Sequence, residues 1–320
     1  MNAMKILFMG TPLFAIPSLE AIVDGGYELL GVVTQPDRQK GRGKHVMPPP
    51  VKEWAVARNI PVYQPEKVRE PEFIEIVQNL SPDLIVTAAF GQILPKKILD
   101  IPPLGCINVH ASLLPKYRGA SPIQQAIIDG ERETGITIMY MDIGMDTGDI
   151  ILQRKIEIGE EEDSGHLHDR LAQLGGEALK DALKLFEGGQ KPAGIPQNEK
   201  EATYCSKIEK SMGEIDWNKN VEEIRNLIRG LTPWPGAYTR IDDLRLKVLK
   251  AGRWEKSIQG EYVPGQIVVA NPKDGLVIAA RDGLMRLYEI QGPGKRPMAD
   301  IEYLRGNPIP TGIVIKKEDE

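Results

Sequence analysis

Three polar residues occupy positions where an α/β sheet can use them for chemistry. Asn108 and His110 lie two apart in the run CINVHAS (Cys106 to Ser112), and Asp146 lies in DIGMDTGD, in the loop that follows ITIMYMD (Ile136 to Asp142). Residues two apart on a strand point to one side of the sheet, and such sheets present ligands at the carboxyl ends of their strands. The trio suits acyl transfer: an amide that donates to a developing oxyanion, an imidazole that donates or shuttles a proton, and a carboxylate that orients the imidazole or accepts a proton. On spacing alone a second reading stays open, in which Asn108 and His110 satisfy neighbouring backbone groups and Asp146 makes an Asx turn.

Other chemistries find less support. The glycine closing the first apolar run, in MGTPLFAIPS, belongs to neither G-x-G-x-x-G nor G-x-x-x-x-G-K-[ST], which argues against a NAD enzyme or a kinase. His166 and His168 diverge on a helix and have no ligand partner near in sequence. No G-x-S-x-G elbow supports a serine triad. Cys106 and Cys205 stand far apart without a C-x-x-C pair, so a disulfide framework and a cysteine-rich zinc site are excluded and a reducing cytoplasm is expected. The N-terminus is a poor signal peptide, and no apolar run approaches the roughly 18 residues of a membrane span.

The elements that must position the trio follow from the apolar pattern. At 320 residues and 41% hydrophobic, the chain has the length for about two domains, each with a core. Up to about residue 200, strands alternate with helices: KILFMG, a helix from Pro17 to Gly25, LLGVVTQ, PVYQ, LIVTAAF, CINVHAS and ITIMYMD. Near-continuous apolar runs are expected of strands buried on both faces of a parallel sheet. A helix is expected over Ser164 to Phe186, with Ser164 as its cap. The Gly-, Pro- and polar-rich stretch from Gly188 to Tyr204 reads as a linker. The expected division is 1–189, a linker at 190–205, and 206–320. Beyond the linker come a helix at Asn220 to Gly230 and the short runs RLKVLKA, GQIVVA, GLVIAA and LMRLYEI, which suggest a small barrel or sandwich. The net charge of -5 excludes a globally basic coat, but residues 1–205 carry 21 basic and 28 acidic side chains against 19 and 17 in 206–320, so the second part is mildly basic. Between Gln35 and Lys52, Arg38, Lys40, Arg42, Lys44 and Lys52 face a single acid, Asp37.

SLLPKYRGASPIQ (Ser112 to Gln124) reads locally as a rigid loop with an exposed Lys116-Tyr117-Arg118 leading into a helix that has Pro122 in its first turn. Together, NVH at Asn108 to His110, SLLPKYRGASPI and the D-x-G-x-D-T-G-D of Asp142 to Asp149 resemble the folate-dependent formyltransferases. GTPLFA at Gly10 to Ala15, TQPDRQKGRGK at Thr34 to Lys44, IDW at Ile215 to Trp217 and TPWPGA at Thr232 to Ala237 extend the likeness over nearly the whole chain, toward the branch that formylates methionyl-tRNA. The resemblance implies a Rossmann-like, mostly parallel sheet in the catalytic domain and a smaller C-terminal OB-like β-barrel that holds tRNA. It implies 10-formyltetrahydrofolate as donor, initiator methionyl-tRNA as acceptor, no metal, no membrane and no obligate protein partner. It places catalysis on Asn108, His110 and Asp146. Folate binding falls on Phe90, Gly91, Gln92, Ile93 and Leu94, on Ser112, Leu113, Leu114 and Pro115, and on Met139, Asp142 and Gly144. Acceptor-end recognition falls on Arg38, Lys40, Arg42 and Lys44 in the 17-residue insertion Thr34 to Pro50, with Arg42 reaching a groove and lysines neutralising phosphates. Relatives that formylate a small ribonucleotide or an amino sugar, or that hydrolyse formyl-folate, should have a different length or domain content. The intact trio argues against a catalytically silent RNA-binding module.

Overall fold

Numbered in chain order through the two large sheets, the strands begin with β1 (Lys5–Gly10), β2 (Glu28–Val33), β3 (Val62–Tyr63), β4 (Leu84–Ala88), β5 (Cys106–His110), β6 (Glu133–Tyr140) and β7 (Ile150–Glu157). The computed structural model, which describes residues 3–40, 45–256 and 258–316, joins these in the order β7-β6-β5-β4-β1-β2-β3. From β3 to β5 every pairing is parallel. β6 runs antiparallel to β5, and β7 antiparallel to β6. Burial on both faces made β1, β4 and β6 legible, but burial carries no direction, and β6 is the apolar run that reverses. β7 escaped notice because it is an edge strand whose middle, from Arg154 to Lys155, is exposed.

Proline starts the covering helices α1 (Ile16–Asp24), α2 (Pro50–Val56) and α3 (Pro71–Leu80), where its missing N–H costs nothing. α3 and α4 (Lys96–Leu99) cover one face, burying Phe73, Val77 and Ile98 against Leu7, Met9 and Ile85. α5 (Pro122–Ile128) and α6 (Ser164–Lys184) follow. The cap of α6 is Asp163 and not Ser164: Asp163 Oδ1 accepts the His166 amide at 2.9 Å, while the Ser164 hydroxyl donates to the Thr232 carbonyl at 2.7 Å.

The chain forms two units. The first comprises Met1–Pro122, Glu133–Glu157 and His168–Cys205; the second comprises Ile123–Arg132, Ile158–Leu167 and Ser206–Glu320. Residues 190–205, expected as a linker, are stitched into the first unit. Ile150 and Ile195 exchange both backbone hydrogen bonds at 2.8 Å, and Tyr204–Cys205 pairs in parallel with Arg118–Gly119. Backbone and polar side-chain bonds hold this stretch, so it shows no apolar period.

In the second unit β8 (Ala237–Ile241), β9 (Leu244–Arg253), β10 (Ile267–Asn271), β11 (Gly275–Ala280) and β12 (Gly283–Gln291) pair antiparallel in the order β8-β9-β12-β11-β10, with β13 (Met298–Ala299) on β12. α7 (Val221–Leu231) is capped by Asn220, whose amide donates in return to Glu223 at 2.9 Å. It buries Ile224 and Ile228 with Leu246, Val248, Ile278 and Leu287, joined by Tyr303 from α8 (Asp300–Gly306). Neither β8 nor α8 was anticipated.

Candidate active site

Strand register assembles the site. Thr87 lies beside Asn108, and Asn108 beside Met139. The Thr87 hydroxyl donates to Asn108 Oδ1 at 2.7 Å, which fixes the amide and leaves its nitrogen as the donating end. His110, 5% exposed, places Nε2 2.9 Å from the Tyr117 carbonyl. A carbonyl only accepts, so Nε2 carries a proton and Nδ1 is the ring atom left to react. Nδ1 lies 3.7 Å from Asp146 Oδ1, too far for a direct hydrogen bond and close enough for charge pairing. Asp146 Oδ2 accepts the Gly119 amide at 2.9 Å.

Asp146 adopts φ 55°, in the left-handed region, and neighbours hold it there. Gln197 Nε2 donates to the carbonyls of Asp146 and Gly148, both at 2.8 Å. Gly119, at φ 120°, lies so close to the Cys205 carbonyl that a Cβ would collide with it. Arg118, expected to be exposed, is fully buried, and Tyr117 is buried too, while Lys116 is exposed. The Arg118 guanidinium binds Glu199 at 2.7 and 2.9 Å, Gln197 Oε1 at 2.9 and 3.1 Å, and the Tyr204 hydroxyl at 3.2 Å. Arg118 holds the Glu199 carboxyl below its ordinary value, and Glu199 in turn strengthens the guanidinium's hold on its proton. Sequence reasoning missed Gln197, Glu199 and Thr87; a polar stretch with no period gave no signal for the first two.

The segments expected to bind folate divide by exposure. Phe90, Leu94, Ser112, Leu114 and Met139 are buried, with Ser112 donating to the Lys116 carbonyl at 2.6 Å. Leu113 and Pro115 are half-buried. Ile93 is exposed, as are Ile143 and Met145 in the Asp146 loop. Gly91 has φ 86°, and Gln92 receives the Val68 amide at 3.0 Å. Asp142 Oδ1 accepts from the Gly144 amide at 2.9 Å and from the Thr147 hydroxyl at 2.7 Å, which closes the loop on itself. The insertion expected to meet tRNA contains a small hairpin, Arg38–Lys40 with His45–Met47; Arg42 and Lys44 lie outside the described residues. At its base Asp37 binds Lys52 and Gln64, both at 2.7 Å, and Gln64 and Lys52 together lower the Asp37 pKa. Gln35 Nε2 donates to the Phe90 carbonyl at 3.2 Å, tying this base to the first of the segments expected to bind folate. A broad groove lined by Arg69, Ile74, Lys96 and Asp100 includes none of the trio.

A family model described as formyl transferase matches residues 4–183, and one described as formyl transferase, C-terminal domain, matches residues 207–308. The methionyl-tRNA formyltransferase of Clostridioides difficile (strain 630) is 50% identical over 314 residues, covering 98% of this chain and 100% of that one. The chain belongs to the methionyl-tRNA formyltransferase family. Another methionyl-tRNA formyltransferase, from Caldanaerobacter subterraneus subsp. tengcongensis, is 51% identical over 316 residues, again 98% of this chain and 100% of the other. Among solved structures, WlaRD, a sugar 3N-formyl transferase, aligns with TM-score 0.65 at 21% identity over 92% of this chain and 100% of its own. HypX from Aquifex aeolicus in complex with tetrahydrofolic acid aligns with TM-score 0.63 at 17% identity over 95% of this chain and 47% of its own. These two likenesses show the fold. Among the described residues no helix is long and apolar enough to cross a membrane.

Proposed function

We propose that this methionyl-tRNA formyltransferase family chain moves the formyl group of 10-formyltetrahydrofolate onto the amino group of initiator methionyl-tRNA in the cytoplasm, using Asn108, His110 and Asp146. The amine attacks the formyl carbon, a tetrahedral oxyanion forms, and the folate nitrogen leaves protonated. The Asn108 amide nitrogen and a protonated His110 stabilise the oxyanion. Since Nε2 is tied to Tyr117, the leaving nitrogen takes its proton from Nδ1, and Asp146 Oδ1, 3.7 Å from Nδ1, accepts the proton that the amine sheds. The donor's flat ring suits apolar contact at Ile93 and Ile143 with backbone groups of the 90–94 and 112–115 segments. In the second unit Arg245 stacks 3.7 Å over the Tyr238 ring, and Lys250 and Arg253 are exposed on the same strand, a surface suited to a nucleic-acid backbone.

The observation that carries the mechanism is His110, tethered through Nε2 and facing Asp146 through Nδ1. The test is transfer of labelled formyl from 10-formyltetrahydrofolate to initiator methionyl-tRNA, elongator methionyl-tRNA and an amino sugar nucleotide. Labelling of the initiator tRNA above both competitors is expected; preferential labelling of the sugar overturns the reading.

A further inference from the structure

We propose that Gln197 and Arg118 are positioning residues that set the Asp146 carboxylate for formyl transfer. Both sit in the first unit, and Gln197 falls between the stretches that the two family models match.

The hydrogen-bond inventory closes. The Gln197 amide spends its two N–H groups on the carbonyls of Asp146 and Gly148, and its oxygen accepts from Arg118 Nε and Nη2. The five N–H groups of Arg118 all find partners in Gln197, Glu199 and Tyr204. A guanidinium buried this deeply tolerates no unpaired N–H, so its fork fixes the Gln197 amide, and the amide fixes two carbonyls on either side of Thr147. The first of those carbonyls belongs to Asp146, the residue in the left-handed conformation, and the second to Gly148 two residues on. The adjoining residue of the same loop, Gly119, completes the arrangement by donating its amide to the carboxylate itself. Asp146 is therefore held at its main chain by Gln197 and at its side chain by Gly119; Gly119 lies in the two-residue strand Arg118–Gly119, which pairs with Tyr204–Cys205, and Gln197 lies in the stretch leading to that partner strand. An unsupported Asp146 would relax out of φ 55°, and a displacement of about 1 Å at a reacting group costs up to about a hundredfold in rate.

The inference rests on the role given to Asp146, and the experiment separates the two. Gln197→Ala, Gln197→Glu and Asp146→Ala are compared with the parent as full chains. Gln197→Glu retains oxygens for Arg118 but has no N–H for the two carbonyls. Both Gln197 variants are expected to lower kcat by about tenfold to a hundredfold, to change KM for methionyl-tRNA by less than about threefold, and to move the His110 ring resonances, assigned by their loss in His110→Gln. A merely structural Gln197 would lower the melting temperature and leave kcat and the His110 resonances of the folded protein unchanged, which overturns the proposal. Should Gln197→Ala fail to fold, Gln197→Glu carries the same expectation. If Asp146→Ala keeps the parent's turnover, the reading of the site fails and the inference with it. If Asp146→Ala is inactive while the Gln197 variants match the parent, the positioning role alone fails.

Discussion

His110 acts through one nitrogen because the Tyr117 carbonyl holds the other, so His110→Ala removes both the proton donor and the partner of Asp146. Asn108→Ala, His110→Ala and Asp146→Ala are each expected to lower kcat by on the order of a hundredfold or more with folding retained, read from formyl-transfer kinetics beside circular dichroism. A folded Asp146→Asn with near-parental turnover would remove the carboxylate from proton handling. At the same scale, burial pushes the Cys106 thiol up to about 12, and burial with help from Asp149 raises the Tyr140 phenol to about 12. Both groups ionise more readily in the unfolded chain, so the stability they represent is complete below about pH 9 and drains away as pH rises toward 12, by about 4 kcal/mol for the thiol alone. The urea midpoint should fall steadily from about pH 9 toward about pH 12, and the fall should be shallower in Cys106→Ala. Iodoacetamide at pH 8 should leave Cys106 unmodified in the native protein.

At the scale of elements, the 195–205 arm is held by pairings that a few changes can undo. Gly119→Ala forces a Cβ into the Cys205 carbonyl at a φ that L residues avoid, and should cost more than about 2 kcal/mol in a denaturant titration. Glu199 is depressed by Arg118, so its contribution stands above about pH 4.5 and is lost as pH falls through the lowered value. The exchange protection of the Arg118 and Ala120 amides, which bond to the arm at 2.8 and 3.1 Å, should fall below that pH relative to the unfolded chain at the same pH, and Glu199→Gln should abolish this pH dependence of protection. The arm also marks where sequence reasoning runs out. β1, β4 and β5 were legible because strands buried on two faces must be apolar throughout, and Asn108 and His110 stood out as polar interruptions at period two. The arm's two-residue strand and its Gln197 and Glu199 bonds need no apolar pattern, so it read as slack chain. β7 hid for the converse reason, its outward charges masking a pairing made by the backbone.

Over the whole molecule, charge is divided unevenly, and the mildly basic part from residue 206 onward carries the exposed Arg245 and Lys250. The logarithm of apparent tRNA affinity should fall linearly with that of salt concentration, and Arg245→Ala or Lys250→Ala should each reduce the slope by about one phosphate contact without altering KM for the folate donor. Arg42→Ala in the insertion should raise KM for tRNA more than either; parental kinetics at low and moderate salt would return that loop to a solvated turn. The threading of the chain through its two units has a consequence for how the protein is made. Synthesis runs from the N-terminus, and domains fold in the order in which they emerge. The loop bearing Asp146 leaves the ribosome well before Gln197 and Cys205, which pin it, so the nascent chain passes through a stage with its main sheet paired and its carboxylate unset. Ile123–Arg132 and Ile158–Leu167 wait longer still, since their packing partners lie beyond Ser206. Apolar Ile123 and Ile127, buried in the finished protein, are then the surfaces a chaperone would meet during translation, and the enzyme that prepares the start of other chains completes its own active site only after about two-thirds of its length is made.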